Sequence, residues 1–326
     1  MSDWRWKLRL FASADLVGST AFKATQSASP TPDWPATFRE FFRDFPAFLE
    51  TRYAALSAAH RRCEQFLKPW KFLGDEILFV VELKGWHEAL THVAALRSAI
   101  SEFPKIGWAA KKPALKLKAV AWLAGVPVTN TELSISSGTS ESLDFIGPSI
   151  DLGFRIAKFA EPRKLVLSAD LALLLLDAID DLEVDRSAYK LGFVGREILK
   201  GVIGNEPYPI LWLGVPDDTF FLEEELLRVS CDPGKLKDYL RKYLDTTPKL
   251  MRPFIDGDVH PKYRSIPEEF VKLRDQMQSE DSNREYEKTS RTEPQASGPA
   301  KDLVDPRPPT DDASSTAENE NPPAAT

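Results

Sequence analysis

Three short segments of this sequence carry polar residues that could do chemistry. The first is Phe11-Ala-Ser-Ala-Asp15-Leu16-Val-Gly18-Ser-Thr20, in which a carboxylate closes an apolar run just before a glycine. Gly18 lets the chain turn tightly, so backbone groups there can approach a phosphate or a metal. The second is Lys71-Phe-Leu-Gly74-Asp75-Glu76, with apolar runs on both sides of Gly74-Asp75. If the two strands are neighbours, Asp15 and Asp75 converge. Two hard carboxylates repel unless a cation lies between them, and such a pair suits Mg²⁺ or Mn²⁺ ions in phosphoryl transfer. The third runs from Leu143 to Arg155 and includes Asp144, Gly147 and Asp151. Asp151 and Arg155 are four apart and would share a helix face, from which Arg155 could neutralise charge developing on a phosphate. Taken singly, each has a plain structural reading: Asp15 as a helix cap, Gly74-Asp75 as turn chemistry, Asp151 and Arg155 as an exposed ion pair of little worth.

The elements that must position these residues are legible as periodicities. Trp4–Ala14 reads as a strand entering a core. Pro35–Ser57 carries Phe38, Phe41, Phe42, Phe45, Phe48 and Leu49 at helical spacing, with Pro46 as the expected kink. Trp70–Phe72 and Glu76–Leu83 form an expected hairpin around Gly74-Asp75. Gly85–Phe103 is a helix pattern, Ala114–Leu123 a strand, Asn130–Ser142 a polar loop, and Ile150–Phe159 a helix ending before Pro162. Lys164–Leu167, Ala169–Ala178 and Tyr208–Val215 read as strand, helix and strand, and Phe220–Leu244 as one or two further helices that cover the domain. Alternating strands and helices of this kind make a mixed α/β architecture with helices packed on a sheet.

Composition bounds the function. The 326 residues include 42 Lys and Arg against 49 Asp and Glu, a net charge of −7. That balance gives no global basic field for a polyanion, so nucleic acid is a poor partner. The two cysteines, Cys63 and Cys231, are not spaced as a metal knuckle and suit a reducing, cytoplasmic setting. The four histidines, His60, His87, His92 and His260, are scattered and read as surface or packing residues. Apolar runs such as Leu171–Leu176 are too short to span a bilayer, and the N-terminus lacks a signal-peptide core, so no membrane partner is expected. From Asp275 to Thr326 the chain is rich in Pro, Ser and acids and reads as a disordered tail. The expected division is therefore 1–217, 218–274 as a helical extension, and 275–326 as tail.

Together and in order, the three segments resemble the class III nucleotidyl cyclases. The resemblance runs from Leu8 to Val215. It implies an α+β, ferredoxin-like domain with an antiparallel-rich sheet, working as a head-to-tail homodimer with shared active sites. It implies that Asp15, Leu16 and Asp75 hold two divalent cations, Mn or Mg. Lys71 and Asp144 match the positions that read the base, and Arg155 matches the transition-state arginine. Lys200, in Glu197-Ile-Leu-Lys200-Gly201, matches a lysine that contacts the triphosphate. Asp15 and Asp75 would come from one subunit, and Lys71, Asp144, Asp151 and Arg155 from the other. One position departs: where the family has Asn to orient the ribose, this chain has Asp151, which can accept a bond from a ribose hydroxyl but cannot donate one.

The implied substrate is a nucleoside triphosphate, and the implied products are a 3′,5′-cyclic nucleotide and pyrophosphate. A Lys/Asp pair usually means adenine, but cytosine and uracil offer compatible edges, so two hydrogen bonds do not fix the base. The wording of the segments around Asp75 and Asp151 resembles the stand-alone pyrimidine cyclases of bacterial Pycsar antiphage systems. That resemblance ranks UTP ahead of CTP and both ahead of ATP, with the product acting on a separate cyclic-nucleotide effector. Two alternatives remain open: an ATP cyclase making cyclic AMP, and a non-catalytic nucleotide-binding dimer module.

Overall fold

Strand β1 (Lys7–Val17) sets the frame. Its alternation sends Leu8, Leu10, Ala12, Ala14 and Leu16 to one face of a sheet, all buried, and Arg9, Phe11, Ser13 and Asp15 to the other. The structure, a computed structural model, describes residues 4–27, 29–59, 65–107, 109–112, 114–137, 140–215, 231–247 and 249–292. After Gly18 come α1 (Ser19–Gln26) and α2 (Trp34–Ala59), which runs through Pro46. The expected hairpin is present as β2 (Lys68–Leu73) and β3 (Glu76–Glu82), followed by α3 (Glu88–Glu102) and β4 (Lys116–Val126). These elements form a βαββαβ unit with antiparallel order β2-β3-β1-β4, the ferredoxin-like arrangement. Helices α2 and α3 cover the leucine face, where Phe45 packs edge-on to Phe79 and Phe103.

Three further strands widen the sheet to seven: β7 (Lys164–Leu167), parallel to β4, then β9 (Pro207–Gly214) and β8 (Leu191–Ile198). Strand β8 is absent from the sequence reading. Gly192 and Gly195 interrupt its pattern, and Gly192 is required by packing: a Cβ there would lie 2.1 Å from the Trp212 ring on β9. The stretch expected as a loop over Asn130–Ser142 is instead β5 (Thr131–Ser137) and the start of β6 (Ser140–Ile146). This ribbon lies on the second face of the sheet. Phe145 packs edge-on to Phe11 at 5.0 Å, and Arg9 pairs with Glu132. Of its described side chains only Phe145 is buried, so the ribbon needs few apolar residues and its Ser/Thr composition misleads.

Helix α4 (Pro148–Ile156) lies beside the ribbon on the same face, and α5 (Ala169–Asp181) packs near α3. Of the expected helices over Phe220–Leu244, α6 (Pro233–Thr246) is present and packs on α5, while 216–230 lies outside the described residues. The extension is continuous with the core. Trp6 stacks on Phe254 at 4.1 Å and donates from Nε1 to the Phe254 carbonyl at 2.7 Å. Helix α7 (Glu268–Thr292) carries the chain past Asp275, so residues 275–292 are helical where the sequence reading expects disorder. Residues through Ser279 form one unit, and Glu280–Thr326 forms another, described only over its helical start. Among the described residues, no helix is long and apolar enough to cross a membrane.

Candidate active site

The first aspartate is positioned by strand register. Asp15 stands opposite Glu76 of β3 on one side and Lys118 of β4 on the other. Lys118 Nζ lies 3.0 Å from Asp15 Oδ2, and both side chains are partly exposed. Strand β1 ends at the Gly18 turn, whose φ of 89° favours glycine; a Cβ there would also lie 2.6 Å from the Ala114 carbonyl oxygen. That turn starts α1 at Ser19, whose hydroxyl donates to Asp75 Oδ2. Leu16 N donates to the Asp75 carbonyl at 3.4 Å, so the β1 end and the β2–β3 turn adjoin. A cavity of about 200 Å³ opens beside Asp15, walled by Ser13, Glu76, Lys118, Phe154 and Lys158.

Three carboxylates, Asp15, Asp75 and Glu76, crowd this end of the sheet, with Lys118 as a nearby positive charge. Burial raises the Glu76 carboxyl above the usual carboxylate range, and the nearby Asp15 and Asp75 push it the same way against a Ser13 hydrogen bond. A divalent cation would relieve this crowding, and Asp15 and Asp75 offer hard oxygen donors suited to Mg²⁺ or Mn²⁺. Among the described residues, no group of three or more His, Cys, Asp or Glu is arranged to hold a metal.

The second pair is brought together across distant sequence. Lys71 stands opposite Leu78, which stands opposite Ser13, so Lys71 shares a sheet face with Ser13 and Asp15. A register shift between Pro69 and Lys71 inserts Trp70 as an extra residue. Trp70 packs edge-on to Phe11 and Phe145, and its Nε1 donates to the Leu143 carbonyl at 2.8 Å. Lys71 Nζ lies 2.6 Å from Asp144 Oδ2 on β6 and 4.9 Å from the Trp70 ring centroid. Partial burial pushes the Asp144 carboxyl up, but the Lys71 hydrogen bond, the Phe145 amide and the Lys71 charge together hold it below its usual range.

The remaining predicted residues are not brought into these pairs. Asp151 and Arg155 are exposed on α4, and Lys200 is exposed after β8. Helix α4 begins at Gly147, and buried Asn130 orders that start: its Oδ1 accepts from Ser149 N at 3.0 Å and its Nδ2 donates to the Gly125 carbonyl at 2.9 Å. Sequence reasoning does not single out Trp70, Glu76, Lys118 or Asn130. Glu76 adjoins Asp75 in the chain, but Lys118 and Asn130 acquire their roles from pairing that no local motif signals.

No family model matches the chain, and no curated protein matches it by sequence. Among solved structures, the chain is similar to the adenylyl cyclase CyaB from P. aeruginosa, with 13% identity over 64% of this chain and 94% of that one, at a TM-score of 0.47. It is also similar to the guanylate cyclase domain of RhGC from Catenaria anguillulae in complex with GTP, with 13% identity over 65% of this chain and 100% of that one, at a TM-score of 0.44.

Proposed function

We propose that this chain is a nucleotidyl cyclase that converts a nucleoside triphosphate to a 3′,5′-cyclic nucleotide and pyrophosphate. The observation that carries this reading is the meeting of Lys71 and Asp144 at 2.6 Å on the sheet face that also bears Asp15, with Asp75 in the adjoining turn. One donor and one acceptor side by side match the edge of a base, and Asp15 and Asp75 match the metal requirement of a triphosphate whose base lies on the partner subunit's Lys71 and Asp144. Two divalent cations, Mg or Mn, held by Asp15, Asp75 and the Leu16 carbonyl would lower the pKa of the substrate's 3′-hydroxyl and neutralise the triphosphate.

The chain's own residues take the remaining tasks. Lys71 donates to the base and Asp144 accepts from it. Arg155 neutralises charge spread over the α-phosphoryl oxygens, Lys200 takes the leaving pyrophosphate, and Asp151 accepts from a ribose hydroxyl. Asp151 and Arg155 are exposed, and in this reading they act with Lys71 and Asp144 across a homodimer interface, on a triphosphate held at the partner subunit's Asp15 and Asp75. Leu73, Leu143 and Ile146, exposed on the hairpin and ribbon that carry the Lys71–Asp144 pair, are apolar surface such an interface would cover.

The base is assigned to a pyrimidine, UTP before CTP. This rests on the wording of the segments around Asp75 and Asp151, and the bulk of Trp70 beside Lys71 is consistent with a single-ring base. The product then serves a separate effector in antiphage defence. A second reading has one observation in its favour: Lys118 already neutralises Asp15, as it would in a nucleotide-binding module that turns nothing over.

The test is a mass readout of products from purified protein with Mn²⁺ and each of ATP, GTP, CTP and UTP, with Asp75→Ala as control. Cyclic UMP lost in the variant is the expected result. Cyclic AMP in its place overturns the base assignment, and no cyclic product from any nucleotide favours the module.

A further inference from the structure

A second cavity, of about 270 Å³, lies away from the candidate active site, at the end of β4 and β1. Its wall is mostly apolar, with Leu123 from β4, Leu152 from α4, Leu244 from α6, and Leu250 and Met251 from the segment that follows. The C-terminal extension, which the cyclase reading leaves without a task, thus closes one side of it. The first turn of α4 forms another side, so an occupant touches the helix that carries Asp151 and Arg155.

Most polar groups on the wall are already engaged. Tyr208 Oη accepts from Ala169 N at 2.7 Å, Thr129 Oγ1 donates to the Gly125 carbonyl at 3.1 Å, and Arg252 is paired with Asp245. Asp170 differs. Its carboxyl takes hydrogen bonds from the Ser168 hydroxyl and the Leu171 amide, but among the described residues it has no lysine or arginine partner. Burial pushes this carboxyl up to about 6, against the pull of those two hydrogen bonds and of one from its own amide. An acid set into an apolar wall without a counter-ion is costly to ionise, and a cation brought by a ligand would offset that cost. Lys249, the one other charged group of the wall not paired, is exposed.

We propose that this cavity binds a small amphipathic amine, with its apolar body among Leu123, Leu152, Leu244 and Met251 and its ammonium on the Asp170 carboxylate. The proposal stands apart from the cyclase reading, because no residue of the candidate active site takes part in it.

The test is calorimetric titration of the full chain with hexylamine, 1-hexanol and hexanoate. Hexylamine is expected to saturate a single site, and 1-hexanol to bind about tenfold more weakly, the size of one charge-assisted hydrogen bond. Asp170→Asn is expected to bring hexylamine down to the level of 1-hexanol. Met251→Trp, which fills the cavity, is expected to abolish binding of both, and circular dichroism checks that each variant folds. Hexanoate binding as tightly as hexylamine would overturn the assignment of Asp170 and point to Lys249. Hexylamine binding that survives Met251→Trp, or no saturable binding to the wild-type chain, would overturn the site.

Discussion

Gly153 and Trp122 meet so closely that a Cβ at position 153 would lie 2.2 Å from the Trp122 ring. Trp122 is fully buried on β4, so the contact sets how low α4 lies on the sheet and where Asp151 and Arg155 project. Gly153→Ala is expected to lift the helix and cost about 1–3 kcal/mol, the usual penalty for overpacking. If Arg155 acts on the phosphate as proposed, product formation should fall further than stability does, because Arg155 moves with the helix. Thermal melts and turnover measured on the same preparation check this; normal turnover would separate α4 from the reaction.

The base pair of residues makes a different prediction. Lys71→Gln removes the ion pair to Asp144, which is partly exposed and contributes at most about 1 kcal/mol to stability. If Lys71 holds the base as proposed, its effect on kcat/KM should be about tenfold or more, because a charge-assisted hydrogen bond to the base would be lost. Trp70→Ala opens the wall beside Lys71 and is expected to raise the use of ATP relative to UTP. Competition between the two nucleotides, read by product mass, decides it; an unchanged ratio would remove Trp70 from base selection.

In the cyclase reading, Lys118 and a cation would compete for Asp15. Since Lys118 Nζ is 3.0 Å from Oδ2, Lys118→Ala should free the carboxylate and tighten Mn²⁺ binding by about threefold to tenfold, the scale of one partly screened ion pair. Titration followed by Mn²⁺ electron paramagnetic resonance reads this directly. Weaker binding in the variant would mean that the lysine holds Asp15 in place for the metal.

Asp177 joins the extension to α5. This buried carboxylate meets Lys237 Nζ at 3.0 Å, Arg241 at 2.9 Å and the Tyr263 hydroxyl at 2.7 Å. Burial alone would push it up, but the Tyr263 and Lys237 hydrogen bonds and the charges of Lys237 and of Lys262, 3.5 Å away, hold it below its usual range. A depressed carboxylate stabilises the fold above its unfolded pKa, and that stability is lost as pH falls through the folded value. Asp177→Ala should therefore cost about 3–5 kcal/mol at neutral pH, with the gap from wild type narrowing as the pH drops below about 4. Chemical denaturation at several pH values measures it; a gap that does not change with pH would show packing rather than charge.

The sequence by itself determined what short-range sterics and periodicity control. The alternation of β1, the helical spacing of α2 and the glycines at 18 and 74 are local signals, and the elements they announce are present. The chemical types at 15, 71, 75, 144 and 155 were equally open to reading, because they stand in short segments between apolar runs. Only the tertiary structure decided which of them meet. Lys71 reaches Asp144 because a polar ribbon folds as strands over the sheet, and Lys118 faces Asp15 because β4 pairs with β1 in one register. Strand β8 depends in the same way on Trp212 of β9, which fills the space that Gly192 leaves. Charge pairing and close packing are fixed by register between segments far apart in the chain, and a residue's own neighbours in sequence carry no record of that register.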